Sequence, residues 1–262
     1  MYHFDWLLFW NYIWPPTAFQ DPLIRYGLIA TIVVSVVAQA MGVVLGLFAA
    51  LGKMSKASVF RWLAEAYIWY FRGTPLLVQI VLLFFGLGVT HIYDFPDIRI
   101  AFITITGPIQ AGTLALAINE GAYMAEIIRA GIESIDPGQT EAAKSLGMSY
   151  RLSMQRIILP QAAKVIIPPL GNEFNNMMKT TSLLEIISAT ELFFAFNQVN
   201  ARVFKPFELF IAVSLYYLLL TTIWSFIQAR LEAGLGERKG EVRTEGLVRH
   251  FLGFGNWAGG GH

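Results

Sequence analysis

Cysteine is absent from this 262-residue sequence, and charged residues make up only 14% of it. The absence of cysteine excludes disulfide bonds, thiolate catalysis and cysteine-rich metal sites. The net charge of +1 gives no electrostatic reason to expect nucleic acid or an acidic substrate as a partner. The histidines lie too far apart in the sequence for a local metal-binding motif: His3, His91, His250 and His262.

Hydrophobic residues are abundant instead, at 55% of the chain. A soluble domain usually has about 25% charged residues, so the composition argues against a soluble enzyme. A membrane-spanning helix needs about 20 mostly apolar residues. Five stretches meet that length, at about 23–51, 59–87, 108–130, 165–189 and 207–229. The sequence therefore predicts an all-α membrane protein with about five transmembrane helices.

The second stretch is interrupted by the sequence FRGTP, residues 71–75. Either one long helix kinks at Pro75, or two shorter pieces meet there. We favour one kinked span. The segment from His91 to Thr106, which follows, is expected to form an outer loop.

Lysine and arginine predict the orientation, because cytoplasmic loops are enriched in both. They concentrate between the first two spans, between the third and fourth, and after the fifth, which predicts an outer N-terminus and a cytoplasmic C-terminus. The expected division is a periplasmic or interfacial segment over 1–22, a transmembrane domain over 23–233 and a flexible cytoplasmic tail over 234–262. In the first segment, Trp6, Trp10 and Trp14 share one helical face, which suits either a membrane-interface anchor or packing on the first span.

The cytoplasmic segment between the third and fourth spans carries the most specific pattern. Asp136 and Pro137 are typical of a helix start. In the residues that follow, apolar side chains recur at helical spacing and form one side of a helix: Ala142, Ala143, Leu146 and Tyr150. A short amphipathic helix of this kind either docks a soluble partner or lies on the bilayer, and periodicity leaves both open. Gly147 either ends this helix or lets another backbone approach.

The same segment resembles the EAA motif of ABC importer permeases. Its elements occur at the full spacing: Glu141, Ala142, Ala143, then Gly147, then Ile157, Leu159 and Pro160. The stretches FRGTPLLVQ, AYMAEIIRAGI and LGNEFNNMMKTTSLLEII resemble the polar amino acid uptake permeases of the histidine, glutamine and arginine type. The likeness covers about residues 24–233. It leaves out the N-terminal aromatic segment and the C-terminal tail.

This resemblance implies a fold like that of type I ABC importer permeases, in the cytoplasmic (inner) membrane. The motif would form a coupling helix, at about 138–158, that fits a groove on the ATP-hydrolysing subunit. The implied partners are a dimer of ATPase subunits, a second permease that is the same or a different chain, an extracytoplasmic amino-acid-binding protein and membrane lipid. This chain is expected to bind no cofactor, because ATP and Mg²⁺ belong to the ATPase. Its nearest approach to a phosphate-binding loop, GLFAALGKM at 46–54, has the wrong glycine spacing and no hydroxyl.

Polar residues inside the predicted spans are the candidates for a substrate pathway, since charges in a bilayer are costly unless paired or hydrated. Lys179 could meet an amino acid's carboxylate, and a glutamate or the asparagine carbonyls its ammonium. Helix-to-helix hydrogen bonding is the alternative for the whole stripe. Glu120 is a candidate for a cavity or an interhelical bond, and Glu126 with Arg129 for a structural ion pair. The stripe on the fourth span comprises Asn172, Asn175, Asn176, Lys179 and Ser182.

A secondary transporter or channel that uses the intramembrane carboxylates is the alternative function. The spans show no inverted repeat, however, and such a protein would leave the cytoplasmic helix without a role. A membrane enzyme has no support from paired carboxylates, a nucleophile motif or a metal motif.

Overall fold

The computed structural model describes residues 3–100 and 103–234, and most of them are helical. The tail predicted over 234–262, with His250 and His262, lies outside the described residues beyond Gly234. The first half contains α1 (Trp6–Ile13), α2 (Pro15–Ala18), α3 (Pro22–Lys53), α4 (Ser58–Gly73), α5 (Leu76–Val81), a π-helix (Leu82–Gly86) and α6 (Leu87–Val89). The second half contains β1 (Ile98–Ile100), β2 (Ile103–Ile105), α7 (Gly107–Glu133), α8 (Pro137–Ser145), α9 (Tyr150–Ser153), a π-helix (Met154–Ile158), α10 (Leu159–Thr180), a 3-10 helix (Thr181–Ile187), α11 (Leu192–Val203) and α12 (Pro206–Gly234).

Two helices, α3 and α12, are long and apolar enough to cross a membrane. The second predicted span is a bent pair, because α4 and the helix that runs from α5 through α6 meet at an angle of 108°. If this bent pair is counted as one span, it is the third candidate span among the described residues. Helices α7 and α10 carry asparagine, glutamine or glutamate along their length and do not meet the same apolar criterion. The count of five spans therefore stays a prediction.

The centre of the protein is the packing of α3 against α7. Small residues make this contact close, because they let two helix backbones approach each other. A β-carbon at Gly42 of α3 would lie only 2.6 Å from Cγ of Glu120 on α7. Gly42 thus provides the room in which the Glu120 side chain lies between the two helices.

The segment expected as an outer loop, 91–106, contains a short antiparallel hairpin. Strands β1 and β2 pair Ile98 with Ile105. The hairpin leads directly into α7, and Asp97 accepts a hydrogen bond from the backbone N–H of Gly107 at 2.9 Å. This region adds the only strand pair among the described residues to an otherwise helical fold.

Helix α1 packs mainly on α12, and its side chains also join a cluster that includes Ile24 at the start of the first span. The backbone N–H of Asp5 donates to Glu208 at 2.8 Å, and the Tyr216 hydroxyl donates to the carbonyl of Ile13 at 3.4 Å. Leu8, Tyr12 and Ile13 face the core that α11 and α12 form. The three tryptophans predicted to share a face are exposed on the other side of α1: Trp6, Trp10 and Trp14.

Candidate coupling surface and transport pathway

Helix α8 occupies the position of the predicted coupling helix and is capped at both ends. At its start, Oδ1 of Asp136 accepts a hydrogen bond from the N–H of Gly138 at 2.7 Å. At its end, the N–H of Gly147 donates to Lys144 at 2.9 Å and that of Met148 to Ala143 at 3.0 Å. These two bonds form a Schellman ending, which needs a left-handed residue. Gly147 supplies it, with φ of +74°.

The ending corrects the predicted extent of the coupling helix, 138–158. The helix stops at Ser145, and a new helix begins at Tyr150 and continues through a π-helix into α10. The physical reason is the left-handed turn at Gly147, which the helical spacing of the apolar residues did not reveal. A β-carbon at Gly147 would meet nothing within 4 Å. Among the described residues this glycine therefore serves to end a helix, not to admit a neighbouring backbone.

Helix α8 is followed by apolar side chains that are exposed at the surface, at its C-cap and at the start of α9. Ala143 is buried against the protein, whereas Leu146 is 81% exposed and Tyr150 is 71% exposed. Ala142 and Glu141 are also exposed, and the Glu141 carboxylate makes no hydrogen bond or ion pair with any residue that the structure describes. Large exposed apolar groups beside an unpaired carboxylate are typical of a protein-binding surface.

The remaining motif residues lie where the chain enters α10. Ile157 lies in the π-helix, and Leu159 and Pro160 are exposed on the first turn of α10. Proline has no N–H and cannot donate to the preceding turn, which is consistent with the wider π-helical turn just before it. The motif thus continues from the surface helix into the base of a long helix.

An ion-pair network joins the ends of α3 and α7 near α8. Arg129 contacts Glu126 at 2.8 Å, which matches the structural ion pair predicted for these two residues. Arg129 also contacts Glu133, and Lys53, at the end of α3, pairs with the same Glu126. Because α7 ends at Glu133 and α8 begins at Pro137, this network lies next to the start of the surface helix.

Two side-chain amides form hydrogen bonds to the groups that are freed at the break in the second span. Gln79 Nε2 donates to the carbonyl of Phe71 at 2.9 Å and to the hydroxyl of Thr74 at 2.8 Å. Asn119 of α7 donates to the same Phe71 carbonyl at 3.0 Å and to Oε1 of Gln79 at 2.9 Å. Backbone groups freed by a helix break inside a membrane need such partners. The sequence offered a signal for Gln79, which is the only polar side chain in the stretch LLVQIVLLFF.

A cavity of about 490 Å³ lies between this break, α7 and α10. Two carboxylates, Glu120 and Glu173, reach it, and Nε2 of Gln39 holds Glu120 with a hydrogen bond of 3.0 Å. Glu120 thus lines a cavity and also makes an interhelical bond. The guanidinium of Arg72 lies 5.2 Å from the ring centre of Tyr123, which lines the cavity. The other lining residues are Thr74, Pro75, Leu76, Leu116, Asn119, Asn176, Met177, Thr180 and Leu183.

The predicted polar stripe on α10 divides between two sides of the helix. Only Asn176 shares the cavity of Glu120. Asn175 donates a hydrogen bond to Ser225 of α12 at 3.3 Å, and Asn172 accepts one from Gln228 of α12 at 3.3 Å. These two residues thus form the helix-to-helix hydrogen bonds that were the alternative for the stripe. Lys179 and Ser182 line a different cavity of about 440 Å³, next to α11 and α12. The lysine and the two cavity glutamates are therefore not parts of one site in this conformation.

The sequence and the fold both match known transport proteins. Residues 42–237 match the family model described as binding-protein-dependent transport system inner membrane component. The arginine transport system permease protein ArgU of Corynebacterium glutamicum is 38% identical over 86% of this chain and 71% of that protein. The probable glutamine ABC transporter permease protein GlnM of Bacillus subtilis is 39% identical over 79% of this chain and 92% of that protein.

A solved structure agrees with these relatives. The crystal structure of an amino acid ABC transporter with histidines superposes with a TM-score of 0.76 at 37% identity, over 88% of this chain and 99% of that one. The chain belongs to the family of binding-protein-dependent transport system inner membrane components. It is an ABC permease of the inner membrane with the all-α type I fold that the motif predicts.

Proposed function

We propose that this chain moves polar amino acids inward by ATP-driven alternating access. The observation that carries the proposal is the position of α8. This exposed helix lies between α7 and α10 in the chain, and both of those helices line the cavity that contains Glu120 and Glu173. A displacement of α8 by a docked partner would therefore act directly on the two walls of the cavity.

The partner that fits α8 is an ATPase dimer, which would bind ATP and Mg²⁺ while this chain hydrolyses nothing and holds no cofactor. Closure of the ATPases on ATP would draw together the coupling helices of two permease subunits. The cavity would then open to the outside, where an extracytoplasmic amino-acid-binding protein delivers the substrate. Hydrolysis would reverse the movement. This order requires the N-terminus outside and the C-terminus with α8 in the cytoplasm, as the lysine and arginine distribution predicts.

The segment that couples to the ATPase comprises Glu141, Ala142, Ala143 and Gly147, with Ile157, Leu159 and Pro160 at the base of α10; its exposed members form the docking surface. The exposed Leu146 provides the apolar contact, and Glu141 provides an acceptor for a donor on the ATPase. Ala143 acts differently from its neighbours, because it is buried and fixes α8 against the permease.

The charges of the cavity indicate the substrate class. An amino acid carries an ammonium group, which Glu120 or Glu173 would accept. Arg72 packs on Tyr123, which lines this cavity, whereas Lys179 lines the other cavity. Arg72 is therefore placed better than Lys179 to meet the substrate carboxylate. Two carboxylates in one cavity favour a basic amino acid over a neutral one. The relatives support the class, since one is named for arginine and another for glutamine.

The test is uptake into proteoliposomes by the full complex, with ATP inside and labelled arginine or glutamine outside. Gly147→Asp places a charge on the docking surface and should release the ATPase or uncouple it from uptake. Gly147→Asn is the matched control, because asparagine tolerates the left-handed conformation without adding charge. Uptake that proceeds without ATP and collapses with the proton gradient would overturn the proposal in favour of a secondary transporter.

A further inference from the structure

A second, apolar cavity lies on the outside of the bundle, along the first half of α3. Its volume is about 700 Å³, and aliphatic side chains form most of its walls. The floor and near wall come from α3, and the far wall comes from α7 and the hairpin. The residues of α3 in the groove recur at helical spacing: Tyr26, Ile29, Ala30, Val33, Val34, Val37 and Met41.

We propose that this groove binds one acyl chain of a membrane phospholipid, with the glycerol end of the lipid near Tyr26. The groove is separate from the cavity of Glu120 and Glu173, and the transport proposal makes no use of it. The inference rests on where the groove lies, which atoms close its end and how large it is.

The groove is continuous with the exposed apolar surface of α3. This helix is one of the two that are apolar enough to cross the membrane. Ile29 and Val33, at the edge of the groove, are 55% and 52% exposed. At that depth the surrounding solvent is hydrocarbon, and an apolar recess does not hold water. Lipid chains are thus the medium in direct contact with the opening.

Polar atoms gather at one end of the groove, as a phospholipid requires. The Tyr26 hydroxyl lies 3.4 Å from the carbonyl of Thr104 in the hairpin. Gln110 lines the same end and donates to the carbonyl of Ile105 at 3.1 Å. This end lies at the starts of α3 and α7, away from α8, which follows the end of α7. The aliphatic part then runs toward the middle of the membrane.

The width of the occupant favours an acyl chain over a helix from another subunit. A helix with its side chains is about 10–12 Å across, so it would lie over the groove without filling it. An extended hydrocarbon chain is narrower and can follow the recess along α3 between its walls.

The experiment counts tightly held phospholipid on the full-length chain in its complex. The complex is reconstituted in phosphatidylethanolamine and phosphatidylglycerol, extracted in detergent, washed, and assayed by native mass spectrometry. Val33→Trp and Val37→Trp fill the groove and should each remove one retained phospholipid per chain. Val36→Trp is the matched control, because Val36 is 50% exposed on the same helix but does not line the groove. It should retain the wild-type number.

Two results would overturn the proposal. One is equal phospholipid retention in all four proteins. The other is loss of the second permease subunit from Val33→Trp and Val37→Trp but not from Val36→Trp, which would make the groove a protein interface. ATP-driven uptake by the wild-type complex is measured in parallel, so that a failure of the transport proposal is seen separately.

Discussion

Nδ2 of Asn119 lies 2.9 Å from Oε1 of Gln79, and this amide pair connects α7 to the break in the second span. Both side chains are buried, and both also donate to the carbonyl of Phe71. The pair satisfies a backbone group that the break at Pro75 exposes and at the same time fixes one wall of the Glu120 cavity. The bend of 108° is thus held by specific side-chain hydrogen bonds.

Replacement of Asn119 by leucine should destabilise the protein by about 1–3 kcal/mol, because the buried Oε1 of Gln79 loses its donor and the Phe71 carbonyl keeps only Gln79 as a donor. Asn176→Leu is the control. Asn176 lines the same cavity, but its side chain makes no hydrogen bond among the described residues. Thermal unfolding in detergent measures the difference. Equal unfolding temperatures for the two variants would contradict the role of the amide pair.

Leu146→Asp should leave the folded permease intact and weaken ATPase binding. Leu146 is 81% exposed, so little burial is lost on replacement, while a charge enters the apolar docking surface. Co-purification of the ATPase reports binding, and thermal unfolding reports the fold. Gln139→Asp serves as control, because Gln139 is exposed on the first turn of α8 and is not one of the proposed docking residues. Unchanged co-purification with Leu146→Asp would place the docking surface elsewhere.

Glu173→Gln should raise the KM for uptake of arginine more than that for glutamine. The substitution removes one of two carboxylates in the cavity while keeping its size and its hydrogen-bonding capacity. Glu185→Gln is the control, because Glu185 accepts a bond from Asn197 at 2.7 Å and does not line this cavity. An equal effect of Glu173→Gln on both substrates would refute the preference for a basic amino acid.

The ion-pair network at the ends of α3 and α7 predicts that replacing Lys53 and replacing Glu126 destabilise the protein by different amounts. Lys53→Met should cost at most about 1 kcal/mol, because the pair is partly exposed and Glu126 keeps Arg129 as its partner. Glu126→Leu should cost more, since Lys53 and Arg129 both lose an acceptor. Unfolding in detergent at low and high salt checks this order. Salt should reduce the difference between the two variants.

The sequence alone determined the features that depend on neighbouring residues in the chain. The start of α8 is an example, because its Asp136 cap follows from local backbone chemistry. Its end is not, because the sequence left two roles open for Gly147 and the structure decided between them. The apolar stretches of α3 and α12 are another, since length and hydropathy suffice to predict a span. The motif from Glu141 to Pro160 identified the family for the same reason: its spacing is fixed within one short segment.

Only the tertiary structure decided which polar residues share a site. Helical spacing placed Asn172, Asn176 and Lys179 on one stripe. In the structure Asn176 lines one cavity and Lys179 another, while Asn172 bonds to Gln228 of α12. Glu120 and Glu173 lie 53 positions apart in the sequence and still line one cavity, because α7 packs beside α10. Periodicity gives the direction of a side chain around its own helix. The residues that this side chain contacts depend on how the helices pack, and helix packing is determined by residues that are distant in the chain.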